Sequence, residues 1–184
     1  RHAWRATARK LDERGFTAIC VDQRGHGDSE WVTGGRYAFA DFGKDAVALG
    51  EQILQRFGAR PAAIGASLGG LASLAALGRS PCFSALVLVD IAPRMEESGV
   101  RNIQSFMAAR AAEGFASIEE AAEQVAAFLP HRTRPPSVEG LRKNLRLRDG
   151  RWYWHWDPAF LDAGRAMAKE RAAILHRMEE DARS

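Results

Sequence analysis

The sequence predicts an α/β fold, a mostly parallel sheet with helices on both faces, from three observations. Short apolar runs rich in β-branched residues alternate with helical patterns through residues 1–93. Residues 61–78 carry no charge and read as a strand and a helix joined by a tight turn. Beyond Pro93 strands become scarce, so residues 94–184 are expected to form a mostly helical layer on top of the α/β part.

Taken in order, residues 2–14 predict a helix with Trp4, Ala8 and Leu11 on one face and Gly15 just past its end. Residues 16–21 (F-T-A-I-C-V) predict a buried strand, and 22–29 (D-Q-R-G-H-G-D-S) are turn chemistry throughout. A helix follows over 41–57, with Val47, Leu49, Ile53, Leu54 and Phe57 marking its apolar side. Residues 61–64 form a brief strand, 68–77 a small-residue helix, and 85–89 another strand. In the second part, 100–110 are helical by apolar spacing. Ser117 with Glu120 makes a capping box for a helix ending near Leu129, and Pro130, Pro135 and Pro136 break the run. Residues 141–147 are short and basic, 151–156 aromatic, and Asp157-Pro158 opens one or two final helices.

Composition narrows the class. With 184 residues, 46% apolar and 27% charged, the chain has the make-up of a globular domain and not of a disordered or collagen-like one. That length buries a sizeable core without disulfides or a structural metal. Cys20 and Cys82 are the two cysteines; with no C-x-x-C and no Cys/His cluster, no metal site is expected and a reduced, cytoplasmic compartment is the default. The chain opens on Arg1 with no charged-then-apolar leader, which reads as a piece of a longer protein without a signal peptide. The formal net charge of +3 comes mostly from arginine spread along the chain. Its densest patch, residues 132–151 with Arg142, Lys143, Arg146 and Arg148, lacks a nucleic-acid reading motif, so a solvated surface is expected there. The uncharged 61–78 stretch is rich in Gly, Ala and Ser, not in the Leu, Ile, Phe and Val that hydrocarbon favours, so no membrane span is expected.

The chemistry concentrates in residues 62–70, A-A-I-G-A-S-L-G-G, which contain G-x-S-x-G as Gly65, Ser67 and Gly69 between a strand and a helix. A nucleophile elbow needs this layout: the strand reverses sharply into the helix, and the serine takes a strained conformation that lifts its hydroxyl clear of the sheet. Side chains two positions away on either side are expected to collide, so glycine is wanted at both. The Leu68 backbone N–H then lies at a helix N-terminus, where it can stabilise an oxyanion. The competing reading is a glycine-rich helix start that binds phosphate, but no lysine follows as in a P-loop and no G-x-G-x-x-G fits.

These motifs together resemble the α/β-hydrolase superfamily. Residues 22–29 are similar to its D-x-R-G-x-G-x-S loop after the fourth strand, 65–69 to the elbow after the fifth, and 86–93 (L-V-L-V-D-I-A-P) to the sixth strand and its exit. The resemblance implies a hydrolase core over 1–93 and a helical cap, or lid, over 94–184. It makes Ser67 the nucleophile and Leu68 N–H one oxyanion donor. It also implies an internal fragment: the strand carrying a second oxyanion donor, the general-base histidine and the last strands of the family have no counterpart here. The isolated chain is therefore expected to be inactive and poorly stable.

Five histidines are candidate stand-ins for the general base. His2 reads as a terminal surface residue, His26 as a surface loop residue, His131 as a neighbour of a Pro-rich turn and His176 as part of a late charged helix. His155, in W-Y-W-H-W, lies in an aromatic setting; packing within the cap is favoured over approach to a pocket. Asp90 falls where some superfamily members place the triad acid, with a strand-end turn cap as the alternative. Trp152, Trp154 and Trp156 alternate, so in an extended segment all face one way, lining either a substrate pocket or the core of the cap. The resemblance implies a cofactor-free serine hydrolase acting on a small-molecule ester, thioester, lactone or similar carbonyl. A carbon–carbon hydrolase and a non-catalytic binding protein on the same scaffold are the alternatives.

Overall fold

The computed structural model describes residues 2–91, 97–131, 133, 137–162, 173 and 176. The last predicted helices, after Asp157-Pro158, fall outside the described residues for most of their length. Contacts divide the chain into two compact units, residues 1–31 with 101–161 and residues 32–100 with 162–184. These limits differ from a boundary at Pro93, because residues 1–31 cluster with the second part of the chain.

In the first unit a short 3-10 turn, His2–Trp4, leads into α1 (Arg5–Asp12). Trp4, Ala8 and Leu11 form its half-buried side, and Gly15 takes a left-handed conformation (φ 82°) just past its end. Residues 16–21 are extended but join no sheet, and Phe16, Ile19 and Val21 are exposed. The expected buried strand is thus not formed. A strand is held by its neighbours' hydrogen bonds, and among the described residues none pairs with this one.

The second unit begins with α2 (Phe39–Phe57), which starts two residues before the expected point and stops at Gly58, whose left-handed backbone (φ 72°) donates to the Leu54 carbonyl. Next come β1 (Ala62–Ala66), α3 (Leu68–Leu77) and β2 (Ala85–Val89). β1 and β2 pair in parallel, Ala62 with Ala85 through Ala66 with Val89, and α3 makes the crossover. α3 packs on both strands and α2 packs on α3. The buried face of α2 is Phe39, Phe42, Gly43 and Gly50, not the expected Leu54 and Phe57, which are exposed. Space explains the shift. A Cβ on Gly43 would stand 3.0 Å from the Ala75 Cβ, and one on Gly50 would stand 2.9 Å from the Cys82 carbonyl oxygen. The two glycines therefore let their neighbours approach as no larger residue would. The predicted helices on both faces are only partly seen: Ile64, Val87 and Val89 remain exposed.

Beyond this segment lie α4 (Glu97–Ala108) and α5 (Ile118–Phe128), with Phe106 stacked on Phe128 at 4.3 Å between ring centroids. Ser117 caps α5 as expected: its Oγ accepts from Glu120 N at 3.1 Å. The Glu120 carboxylate accepts from Ala116 N at 2.6 Å. After α6 (Glu139–Arg142), β3 (Leu145–Arg148) and β4 (Arg151–Trp154) form an antiparallel hairpin. Its two-residue loop, Asp149-Gly150, has positive φ at both positions (49° and 74°), which matches the twist of the strands. Phe115, Ile118, Ala121 and Leu145 form a core, with Val138, Leu141, Trp152 and Trp154 packed against it. Asp157 then caps α7 (Ala159–Asp162) by accepting from Ala159 N at 3.0 Å. No helix among the described residues is long and apolar enough to cross a membrane.

Losing the α5 cap orphans a helical N–H. Ser117→Ala is expected to cost about 1 kcal/mol in urea unfolding, and an unchanged midpoint would show that the cap contributes nothing.

Candidate active site

Ser67 sits between β1 and α3 with φ 47° and ψ −118°, outside the regions an ordinary L-residue occupies. Its side chain is exposed and does not cap α3, and among the described residues its hydroxyl makes no hydrogen bond. Glycine is compulsory at one flank only. A Cβ on Gly65 would lie 2.5 Å from the Gly69 backbone, whereas one on Gly69 meets nothing within 4 Å. The expected need for glycine at both flanks is therefore corrected: the turn closes by pressing Gly69 onto Gly65, and the space is used up from one side. Gly70 is tight as well, since its Cβ would stand 2.9 Å from Ile91 Cγ2 and 3.1 Å from Leu88 Cδ2.

Leu68 opens α3, so its N–H is one of the first-turn donors that a helix leaves without an internal partner. Asp90 follows β2 as Ser67 follows β1. Since Ala66 pairs with Val89, the two residues leave neighbouring strand ends side by side. Asp90 is exposed and also has positive φ (52°). Two non-glycine residues in that region at one edge of a sheet mark stored strain. The Ala92-Pro93 turn that Asp90 was expected to cap lies outside the described residues.

In the other unit, loop 22–29 is laced to the segment after β4. Gly27 N donates to the His155 carbonyl at 2.8 Å and Asp157 N to the Gly25 carbonyl at 2.7 Å. Asp22 organises the loop: its carboxylate accepts from Asp28 N at 3.2 Å and its carbonyl from the Ser29 hydroxyl at 2.6 Å. A side chain on Gly27 would collide with that carboxylate, and Gly27 also has φ 58°. His26 is not the surface residue expected. It is half-buried, edge-on to Phe160 at 5.3 Å, with Nδ1 3.0 Å from the Arg24 carbonyl. Its position was unreadable because its cover comes from Phe160, far along the chain.

A cleft of about 390 Å³ lies in this unit, walled by loop residues 27–31 and by Arg146, Arg148, Tyr153, Trp154, His155 and Trp156. A second cavity of about 330 Å³ shares Gly27, Trp154, His155 and Trp156 with it. The three tryptophans do not act alike. Trp152 and Trp154 pack on the unit's core, while Trp154 and Trp156 reach the cavities and Trp152 lines neither. His155 Nε2 stands 3.5 Å from Asp28 Oδ1, and Arg146 Nη2 stands 3.4 Å from the same oxygen. Burial, then the Arg146 charge, lowers the His155 pKa; burial also lowers that of His26. His2 lies 3.1 Å from Arg5, and His131 and His176 are exposed. The described residues hold no cluster of metal-ligating side chains.

Comparison with known proteins fits this geometry. Residues 2–175 match the family described as serine aminopeptidase, S33. The chain is similar to esterase Rv0045c of Mycobacterium tuberculosis, at 27% identity over 166 residues, 85% of this chain and 52% of that protein. A solved structure of the Mycobacterium tuberculosis esterase superposes with a TM-score of 0.61 at 26% identity, over 86% of this chain and 55% of the other. The fold also matches that of E-2-(acetamidomethylene)succinate hydrolase, with a TM-score of 0.69 at 22% identity, over 95% of this chain and 61% of that one. The chain thus spans little more than half the length of these relatives.

Two outcomes follow from the geometry. Gly65→Ala is expected to destabilise the protein by about 3 kcal/mol or prevent folding. Gly69→Ala is expected to be neutral or stabilising by up to about 1 kcal/mol, because alanine favours helix. Equal effects in urea unfolding would refute the one-sided clash. Because His26 and His155 bind protons more weakly folded than unfolded, stability is greatest above their ordinary value of 6.5 and falls as pH drops below it. Melting temperatures from pH 8 to 5 should show this decline, and His155→Gln should flatten it. A melting temperature that rises on acidification would contradict the assignment.

Proposed function

The chain belongs to the serine aminopeptidase S33 family, of α/β-hydrolase fold, and on that premise we propose that the protein is a serine hydrolase that works through an acyl-enzyme at Ser67. The observation that carries the reading is the exposed, unpartnered hydroxyl of Ser67 on a positive-φ turn between a strand and a helix. Backbone strain of this kind clusters at functional sites, where the surrounding structure holds it in place.

Ser67 Oγ attacks a substrate carbonyl carbon while a histidine takes the hydroxyl proton. The Leu68 N–H and the N-terminal end of α3 stabilise the negative charge that develops on the carbonyl oxygen. Collapse of the tetrahedral species expels the leaving group, which takes the proton back from the histidine, and water then releases the acyl group from Ser67 by the same route. Asp90, beside Ser67 at the neighbouring strand end, is placed well to orient and charge-balance that histidine.

An ester, thioester or lactone is the proposed substrate class, with the likeness to an esterase supporting oxygen esters first. By resemblance, residues 1–93 are assigned to the hydrolase core and 94–184 to the helical cap, and Trp154 and Trp156, which line the cleft of the first unit, offer apolar contact to a small molecule. No cofactor enters this chemistry. Two free thiols, Cys20 and Cys82, support a reducing, cytoplasmic setting.

Treating the full-length protein with a fluorophosphonate should label Ser67, and Ser67→Ala should abolish both labelling and p-nitrophenyl ester hydrolysis, by at least about a thousandfold in kcat. A folded protein left unlabelled points to a non-catalytic relative and sinks the proposal.

A further inference from the structure

The β3–β4 hairpin has two faces of different character. Leu145, Leu147, Trp152 and Trp154 share one, and Leu145, Trp152 and Trp154 pack on the core around Phe115. Arg146, Arg148, Arg151 and Tyr153 share the other, since cross-strand partners and alternate residues lie on the same side. Among these three arginines, two are already engaged. Arg146 meets Asp28 at 3.4 Å, and Arg151 donates to the carbonyls of Glu113 at 2.6 Å and Gly114 at 2.9 Å. Arg148 stands over the Tyr153 ring, its guanidinium carbon 4.4 Å from the centroid, and among the described residues no carboxylate pairs with it. This cation–π contact engages the charge but supplies no hydrogen-bond acceptor for the guanidinium N–H groups.

Arg148 lines the 390 Å³ cleft, whose walls also include Glu30, Trp31, Tyr153, Trp154 and Trp156. The Trp154 indole N–H in the same wall is buried with no hydrogen-bond partner. An indole nitrogen only donates, so its burial without an acceptor costs free energy. Two carboxylates also line this cleft: Asp28 pairs with Arg146, and Glu30 is exposed.

From this arrangement we propose that the cleft between the 27–31 loop and the β3–β4 hairpin binds a small carboxylate with an aromatic or apolar body, with Arg148 gripping the carboxylate and the aromatic walls holding the body. A polyanion fits less well, because Arg142 and Arg151, like Arg146, are committed to partners within the protein. A bare oxyanion would leave the aromatic walls unused.

The test is calorimetric binding to the full chain with three probes: 4-phenylbutyrate, its neutral counterpart 4-phenylbutanol, and inorganic phosphate. The acid should bind at least about tenfold more tightly than the alcohol, the difference a charge-assisted pair supplies. Phosphate should bind more weakly than the acid. Arg148→Gln should erase the preference for acid over alcohol while leaving the melting temperature unchanged, and Arg148→Lys should retain part of it. Equal affinity for acid and alcohol, or a preference that survives Arg148→Gln, overturns the proposal, as does phosphate binding as tightly as the acid. The readout is binding, not turnover, so this proposal stands or falls apart from the role of Ser67.

Discussion

Everything catalytic in this account hangs on one steric fact, the absence of a side chain at Gly65. The β1 strand and the α3 helix approach so closely at their junction that the Gly69 backbone occupies the space a Cβ at 65 would need. That closeness forces the chain to reverse within a residue, and the residue that absorbs the reversal is Ser67, at φ 47°. A relaxed turn would bring the serine into the helix's first turn as an ordinary cap, its hydroxyl spent on a backbone N–H. The strained turn keeps the hydroxyl free and sets the first N–H groups of α3 beside it. Packing elsewhere sustains the strain: α3 is buried along Gly70–Ala76, and the glycine side of α2 closes over it.

How far this was readable in the sequence depends on the range of the forces involved. The limits of α3 and β2 follow from local signals, namely the elbow glycines, the turn residues around Gly78 and a run of β-branched residues, and both are found where expected. The Ser117–Glu120 cap is equally local and is equally present. The buried strand at 16–21 failed for a non-local reason: its residues have strand composition, but hydrogen bonds come from neighbours, and the described residues provide none. The apolar stripe of α2 was misread because hydrophobicity marked Leu54 and Phe57, while the actual contact is made where Gly43 and Gly50 permit close approach. Small residues at spacing seven were the signal available. The β3–β4 hairpin was missed despite an Asp-Gly pair between alternating runs, which is the strongest short-range hairpin signal.

The site shows the same division. The sharp turn at Ser67 and the start of α3 at Leu68 were legible because the signal for a strand reversing into a helix lies within nine residues. Asp90 was legible by position, but its placement beside Ser67 needed the register of a parallel pair. His26 and His155 owe their burial to contacts between residues 22–29 and 155–160, separated by more than a hundred positions, which no local pattern carries. The arginine-rich stretch was read as solvated surface, and Arg142, Lys143, Arg146 and Arg148 are exposed; contacts of Arg142 with Trp152, Arg146 with Asp28 and Arg151 with the carbonyls of residues 113 and 114 were not legible.

The most direct test of the central claim is a crystal structure of the full-length protein after reaction with a phosphonate. The account predicts phosphorus bonded to Ser67 Oγ, positive φ retained at Ser67, and one phosphonyl oxygen about 3 Å from the Leu68 nitrogen. An adduct on another residue, or Ser67 relaxed into the first turn of α3, would contradict it.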